Sequence, residues 1–483
     1  PSPPLPLSPS PAQHPGEDQS NSIRRRLAKV EPYCIRTFTP SSAVLAKSAG
    51  SYHWTPEGRK LADFSSGVLV MNLGHNPTRW WQRVMDYMGL DGRCRERPLW
   101  RSDSGDFEEA VTLSAYNAIT EVELLATERL IALMQKQPGG KNCEQVLWAA
   151  SGSEAIQKAL WAALDRPQPD NSPRGAAPGG PIILSTRHGF HGKKGLAGAV
   201  TGSEYDNERD SRVKFISFPH DECLSVARRK QHIDLVPYEA ELGRLWGEYG
   251  SRISCLITEP YLGGGGSFHP QKEYIQLLAR FCRERDILFI LDEVQANFGR
   301  TGSLFAFSEY GVEPDIVVLG KGLGNGVAVS AAVGRADLFA NMHYGEGSDT
   351  WSANPLASAA VLATLDEYET TDVLDRAQAL SQTLERGLLR LTELTTVAHI
   401  RGEGVVWGIE CAAIGKASAE EVAKAFVEEC YLGDTFGRAI HLLGPLAGKV
   451  IRVSPPLVMP TAEAEEYLGV MFRLFAKVQE RLE

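Results

Sequence analysis

The sequence predicts an α/β protein: a large domain with a mostly parallel sheet flanked by helices, and a smaller α/β domain beside it. Two observations carry this. Through the middle of the chain, short runs rich in Ile, Leu and Val alternate with stretches of helical periodicity. Those runs are continuously apolar, as in strands covered on both faces, and do not alternate like strands with a wet side. The length, 483 residues with 43% hydrophobic and 23% charged, suits an ordinary globular chain with more than one domain.

The elements follow in order. Residues 1–22 begin "PSPPLPLSPSPAQHPGEDQS", a Pro/Ser-rich stretch with too little apolar surface to order itself, and are expected to form a tail. Arg24, Arg25 and Arg26 then read as a solvated helix face. Strands are expected over Gln145–Ala150, Pro181–Thr186, Ser254–Thr258, Ile287–Leu291 and Ile316–Leu319. Between the first two, "DRPQPDNSPRGAAPGG" (165–180) has the composition of a surface insertion. A helix before the fourth strand is marked by Tyr274, Ile275, Leu278, Phe281 and Cys282 at helical spacing. Farther on, amphipathic helices near 372–394, 418–431 and 461–482 alternate with "VVWGIEC" and "KVIRVS", and Ser418 with Glu421 has capping-box spacing.

Composition excludes several classes. A net charge of -10 argues against a general nucleic-acid binder. The eight cysteines, at 34, 94, 143, 223, 255, 282, 411 and 430, contain no C-x-x-C pair, which predicts reduced thiols and a cytoplasmic setting. No apolar stretch reaches the roughly 18 residues of a membrane span, and no apolar core of a signal peptide is seen, so no membrane association is expected.

Ligands of open parallel sheets gather where the strands end. The residues at those ends are Ser151, Gly152 and Ser153; "RHGFHG" at 187–192; Glu259; Asp292; and "GKGLGNG" at 320–326. In "ILFILDEVQANFGRTGS" (287–303) an apolar run stops at two carboxylates, Asp292 and Glu293. An unpartnered buried polar group costs roughly 2 to 7 kcal/mol, so at least one acid is expected to have a cationic partner. The start of "SGSEAIQKALWAAL" (151–164) offers free N–H groups and the positive end of a helix dipole to a phosphate, or is simply a Ser N-cap. Neither G-x-G-x-x-G nor G-x-x-x-x-G-K-[ST] is present. A cofactor with one phosphate, a ring nitrogen suited to a carboxylate and an aldehyde suited to a lysine accounts for all these residues; pyridoxal 5'-phosphate is that cofactor.

"LDEVQANFGRTG" followed by "PDIVVLGKGLGNG", with Lys321 standing 29 residues beyond Asp292, resembles the signature of class III (omega) aminotransferases. "DFSSGVLVMNLGH" (63–75), "SGSEA" (151–155), "GFHGKKGLAGAVTG" (189–202), "TEPYLGGGG" (258–266), "TWSANPLASAAVLATL" (350–365) and "IRVSPPLV" (451–458) resemble further family segments in the family's order. The resemblance implies fold type I, with a small domain from both chain ends (23–95 and 363–483) and a cofactor-binding domain at 96–362. It implies a homodimer with active sites at the interface.

It also implies roles. Asp292 would hold the protonated ring nitrogen, and Lys321 would form the Schiff base and shuttle the proton. Phe190, beside His191, would stack on one ring face, Val294 would cover the other, and Gln295 would bond the ring hydroxyl. Thr350 would reach the phosphate in the partner subunit. Glu259 would steady the strand end, and Arg452 would take the substrate carboxylate, with Lys193 and Val68 on the substrate side. Where relatives acting on 4-aminobutyrate or ornithine have an arginine after Phe-His-Gly and a gating glutamate in the Glu-Pro loop, this chain has Lys193 and Gly264. The implied activity is ping-pong transfer of an amino group from an amine or omega-amino acid (the 4-aminobutyrate, ornithine and lysine class) to a 2-oxo acid. A decarboxylase or aminomutase on the same fold, and a non-catalytic binding protein that has kept it, are the alternatives.

Overall fold

The computed structural model describes residues 11–32, 35, 37, 39–90, 110–167, 180–202 and 210–483. Three short strands come first, β1 (Lys47–Ala49), β2 (Tyr52–Trp54) and β3 (Lys60–Asp63). The large sheet contains β4 (Gln145–Ala149), β5 (Ile182–Thr186), β6 (Val213–Ile216), β7 (Ile253–Thr258), β8 (Leu288–Asp292), β9 (Ile316–Leu319) and β10 (Ser330–Gly334). Near the C-terminus lie β11 (Val397–Glu403), β12 (Val406–Cys411), β13 (Ala439–His441) and β14 (Val450–Val453).

The large sheet has the order β4-β10-β9-β8-β7-β5-β6. Its pairs are parallel except those made by β10, which runs antiparallel to β4 and β9. The five strands expected from apolar runs are present within a residue or two; β6 and β10 are additions. β10 reads SAAVG, and its small residues give no strong hydrophobic signal.

Burial explains the continuous apolar runs. β5, β7, β8 and β9 are buried at every position. One face packs against the Gly152–Asp165 helix through Ala155, Ile156, Ala159, Leu160 and Ala163, the stripe expected from its periodicity. Full burial of side chains such as Ile156 and Leu160 contributes roughly 1.5–3 kcal/mol each. The opposite face carries the larger apolar cluster, which includes Tyr274, Leu278 and Phe281 of the Lys272–Glu284 helix.

The smaller unit draws on both chain ends. β13 joins the N-terminal sheet β1-β2-β3 by parallel pairing with β3, and β11-β12-β14 forms a separate antiparallel sheet. The fully buried Arg300 guanidinium fastens these pieces together. It donates to Val405 O at 3.0 Å, Pro455 O at 2.7 Å and Asn72 Oδ1 at 2.5 Å. The boundary expected at 362/363 falls inside one helix, Pro355–Thr370. The boundary at 95/96 and most of the 165–180 stretch lie outside the described residues.

The tail expectation needs correction. Residues 11–22 are not a free segment: Asp18–Leu27 is a helix, and the buried Glu17 carboxylate accepts from Arg24 at 2.8 Å and from Tyr431 Oη at 2.8 Å. Arg59 completes the cluster. Arg24 is therefore buried and paired, while Arg25 and Arg26 remain exposed. A low apolar content misled the reading because the ordering comes from ion pairs with residues far away in sequence.

Candidate active site

The carboxyl edge of the large sheet opens on a cavity of about 210 Å³. Ser151, Gly152 and Ser153 form one wall, and Phe190, His191 and Glu259 another. Asp292, Val294, Gln295 and Lys321 close the remainder. The strand ends thus bring together side chains up to 170 residues apart in sequence.

Asp292 ends β8, and its Oδ2 lies 2.7 Å from His191 Nδ1 while its Oδ1 accepts from Val294 N at 3.0 Å. A carboxylate only accepts hydrogen bonds, which puts the Nδ1 proton on the side facing Asp292. The side-chain partner of Asp292 is therefore this imidazole. Glu293 has a different solution. Its two carboxylate oxygens accept from Ala306 N at 2.7 Å and Phe307 N at 2.6 Å, and burial pushes its pKa up to about 8. Two backbone donors replace the cation.

Glu259 accepts from Phe190 N at 2.9 Å and from Gly263 N at 3.2 Å. It ties the aromatic-histidine turn to the glycine loop at 263–266. Burial, reinforced by the negative charge of Asp292, pushes its pKa up to about 7 against the opposing influence of His191. Lys321, just past β9, adopts φ 47° and is half-buried. Desolvation, followed by the charge of Arg452, brings its pKa down to about 8, while Asp292 and Glu259 pull the other way. At neutral pH a useful fraction of the amine is unprotonated and nucleophilic.

Close approaches require glycine here. A Cβ on Gly263 would stand 2.3 Å from Gln295 Oε1, and one on Gly264 would stand 2.7 Å from Phe190 Cβ. The position that lacks the gating glutamate is therefore filled by the Phe190 turn.

Ser151 forms a capping box with Glu154, so the plain N-cap reading of this serine holds. Its hydroxyl accepts from Glu154 N, while Gly152 and Ser153 open the 14-residue helix at the cavity wall. Gly192, the last residue of the "RHGFHG" turn, also lines the cavity, and so does Ser330, which was missed. Ser330 opens the weakly patterned β10, 2.7 Å from where a Gly320 Cβ would be, so the glycine before Lys321 was its one faint signal.

Four expected site residues lie elsewhere. Arg452, on β14, is buried and donates to Gly263 O at 2.8 Å, with its Nε lacking a protein partner. Lys193 and Thr350 are exposed and do not line the cavity. Val68 is 43% exposed on a left-handed turn (φ 70°) and also stays off the cavity wall. Within one chain, the structure does not bring these last three to the pocket.

The comparisons agree with this geometry. The family described as Aminotransferase class-III matches residues 106–475. Acetylornithine aminotransferase from Oceanobacillus iheyensis is 26% identical over 447 residues, covering 90% of this chain and 94% of that protein. A leucine/methionine racemase from Thermococcus litoralis is 27% identical over 473 residues, covering 96% and 97%. Among solved structures, an ornithine aminotransferase from Toxoplasma gondii ME49 aligns with a TM-score of 0.75 at 22% identity, over 96% of each chain. An amine transaminase from an uncultivated Pseudomonas species, in its PLP-bound form, aligns with a TM-score of 0.71 at 23% identity, over 94% and 97%.

The chain belongs to the class III aminotransferases, on the fold type I scaffold. Enzymes of this family move amino groups with pyridoxal 5'-phosphate. The cavity fits that cofactor: Gln295 Oε1 and His191 Nε2 are buried polar atoms without a protein partner, and an acid and a lysine share the same walls.

Proposed function

We propose that this chain is a transaminase whose amino donor carries its nitrogen distal to any carboxylate, with a 2-oxo acid as acceptor. When bound, the cofactor supplies a carbonyl for the amine and an electron sink for the carbon beside it. Asp292, steadied by His191 and Val294 N, would hold the ring nitrogen. Lys321 would carry the cofactor and move the proton at its Nζ, for which a pKa of about 8 is suited. Gly152 and Ser153 would receive the phosphate, Phe190 and Val294 would flank the ring, and Gln295 would bond its hydroxyl.

Arg452 carries the substrate reading. It is a buried guanidinium with an unpartnered Nε and one carbonyl contact, and Gly264 leaves it without a gating carboxylate. Such a fork suits two-point capture of a carboxylate. The 2-oxo acid is the natural occupant in the second half reaction. Thr350 lies in an exposed segment beside Tyr344 and Trp351, both highly exposed, which supports a homodimer in which Thr350 serves the partner's phosphate site. Among the described residues no helix is long and apolar enough to cross a membrane.

A matrix of amines and 2-oxo acids, read from the cofactor spectrum, tests this reading. Turnover should require both partners and favour distal amines. An ungated arginine also suits an α-amino acid, and one similar protein is a racemase, so inversion of an α-amino acid without any acceptor is the rival outcome. Release of carbon dioxide would favour a decarboxylase.

A further inference from the structure

The N-terminal sheet contains a second cluster of chemistry-bearing groups that the transamination site does not use. Asp63 ends β3, and parallel pairing places His441 of β13 directly beside it. His53 on β2 is opposite Leu61, which shares a face with Asp63 because strand side chains alternate. His75 comes in from the turn after the Ser66–Leu69 segment. Its Nε2 lies 2.7 Å from Asp63 Oδ2, and His53 Nε2 lies 3.5 Å from the same oxygen. The His53 ring is 4.4 Å from that of His75 and 5.2 Å from that of His441.

We propose that His53, Asp63 and His75 form a structural site for a divalent transition metal of the zinc class, with His441 packed beside it. One ligand atom each from His53, Asp63 and His75 lies within 4.8 Å of the other two. Tetrahedral zinc, with bonds of about 2.0–2.2 Å, separates its ligands by roughly 3.3–3.5 Å. The His53–Asp63 spacing already matches, and the His75–Asp63 contact opens by roughly 0.6 Å to admit the ion.

Two further observations point to a ligand. His53 is 2% exposed, yet its Nε2 has no hydrogen-bond partner, and His441 Nδ1 is likewise buried and unpartnered. Two bare imidazole nitrogens beside a carboxylate are expensive unless something fills the gap. The outer contacts also suit a metal. His53 Nδ1 is 2.7 Å from Ser48 Oγ, which leaves Nε2 to bind, and Asp63 Oδ1 accepts from Ser65 N at 2.8 Å and Ser65 Oγ at 2.6 Å, which leaves Oδ2.

The ion would brace the strand pairing that joins the two ends of the chain. His53, Asp63 and His75 come from the first 75 residues, whereas His441 lies near the C-terminus, and β3–β13 is the pairing between them. The donor set, two nitrogens and one oxygen, matches zinc or cobalt better than magnesium or calcium.

The test uses the full chain with its cofactor, stripped of metal by a chelator and then given Co²⁺ or Zn²⁺ alone. The expected result is one metal per chain, Co²⁺ absorption of a four-coordinate nitrogen and oxygen site, and a melting temperature that rises with Zn²⁺. His53→Gln and His75→Gln should each weaken Zn²⁺ binding by at least about tenfold, in the range lost with ligand-shell changes, and abolish the thermal shift. The absorbance of the cofactor should stay unchanged in both, because neither residue lines that cavity. Either variant suffices if the other does not fold. Less than one metal per chain, sulfur-to-cobalt charge-transfer bands, or undiminished binding in the folded variants would overturn the site and leave a hydrogen-bonded polar cluster in its place.

Discussion

Two buried aspartates each hold a histidine at 2.7 Å: Asp292 with His191 in the large domain, and Asp63 with His75 in the small one. The pairs are alike in distance and burial, but their surroundings differ. Around Asp292 stand a lysine with a depressed pKa, a helix N-terminus and the unpartnered Gln295 Oε1, all on one cavity. Around Asp63 stand two more imidazoles, packed between strands. A carboxylate–imidazole pair is therefore not a site in itself. What it can do is set by the groups left unsatisfied beside it: an acid, an amine and an open cavity suit a ring-nitrogen cofactor, and bare imidazoles suit an ion.

The largest effect expected on the first side of this comparison comes from removing the amine. Lys321→Ala should lose the cofactor's visible lysine-linked band and slow the single-turnover proton shift by roughly 10²–10⁴-fold, the usual worth of a positioned acid-base group. Retention of the band would show that another lysine holds the cofactor.

Asp292→Asn should keep the cofactor but slow the donor half reaction by roughly 10- to 150-fold, corresponding to the roughly 1.5–3 kcal/mol of one charged hydrogen bond. Stopped-flow absorbance checks this, and unchanged rates would mean that Asp292 is as structural as Asp63. Arg452→Lys should weaken the acceptor half reaction with 2-oxo acids by about tenfold, because a planar fork becomes a point charge, and spare donors without a carboxylate. Equal damage to both halves would make Arg452 structural.

A smaller effect reads the field around Lys321. In the cofactor-free chain its pKa of about 8 lies below the ordinary 10.5, so the folded chain sheds this proton while the unfolded chain still binds it. Between those values the group's contribution to stability rises with pH, and it is lost as pH falls through about 8. Reductive methylation of Lys321, followed by peptide mapping against pH, should show its midpoint near 8, and Asp292→Asn should move it lower by removing a charge that raises it. A midpoint at the ordinary lysine value would remove the electrostatic account. Smallest is Gly264→Ala: its methyl meets Phe190 and should cost about 1–3 kcal/mol of stability by overpacking, measured by denaturant unfolding. For the same reason Gly264→Glu would displace Phe190 before it could gate Arg452.

Much of the site was legible because strand-end chemistry is local: an apolar run identifies the strand, and the next residue faces the cavity. Asp292, Lys321 and the 151–153 turn were found that way. The antiparallel β10 was not, since Ser330–Gly334 has little more than small residues, and Ser330 went with it. At least one of the adjacent acids was expected to have a cationic partner, with neither singled out, and Glu293 turns out to be held by two N–H groups at the start of the Ala306–Tyr310 helix, a contact set by tertiary structure. Glu17 and Arg24 were misread for a related reason, as their burial depends on Tyr431 more than 400 residues away. Lys193, Val68 and Thr350 were placed by resemblance alone, and a single chain does not carry them to the cavity.

The most direct test of the central claim is borohydride reduction of the cofactor-loaded chain followed by peptide mapping. The cofactor should be found on Lys321, in the peptide that follows β9. A label on Lys193 or Lys194, on the turn beyond His191, or no label at all, would contradict the assignment of the cavity at the end of the large sheet as the active site.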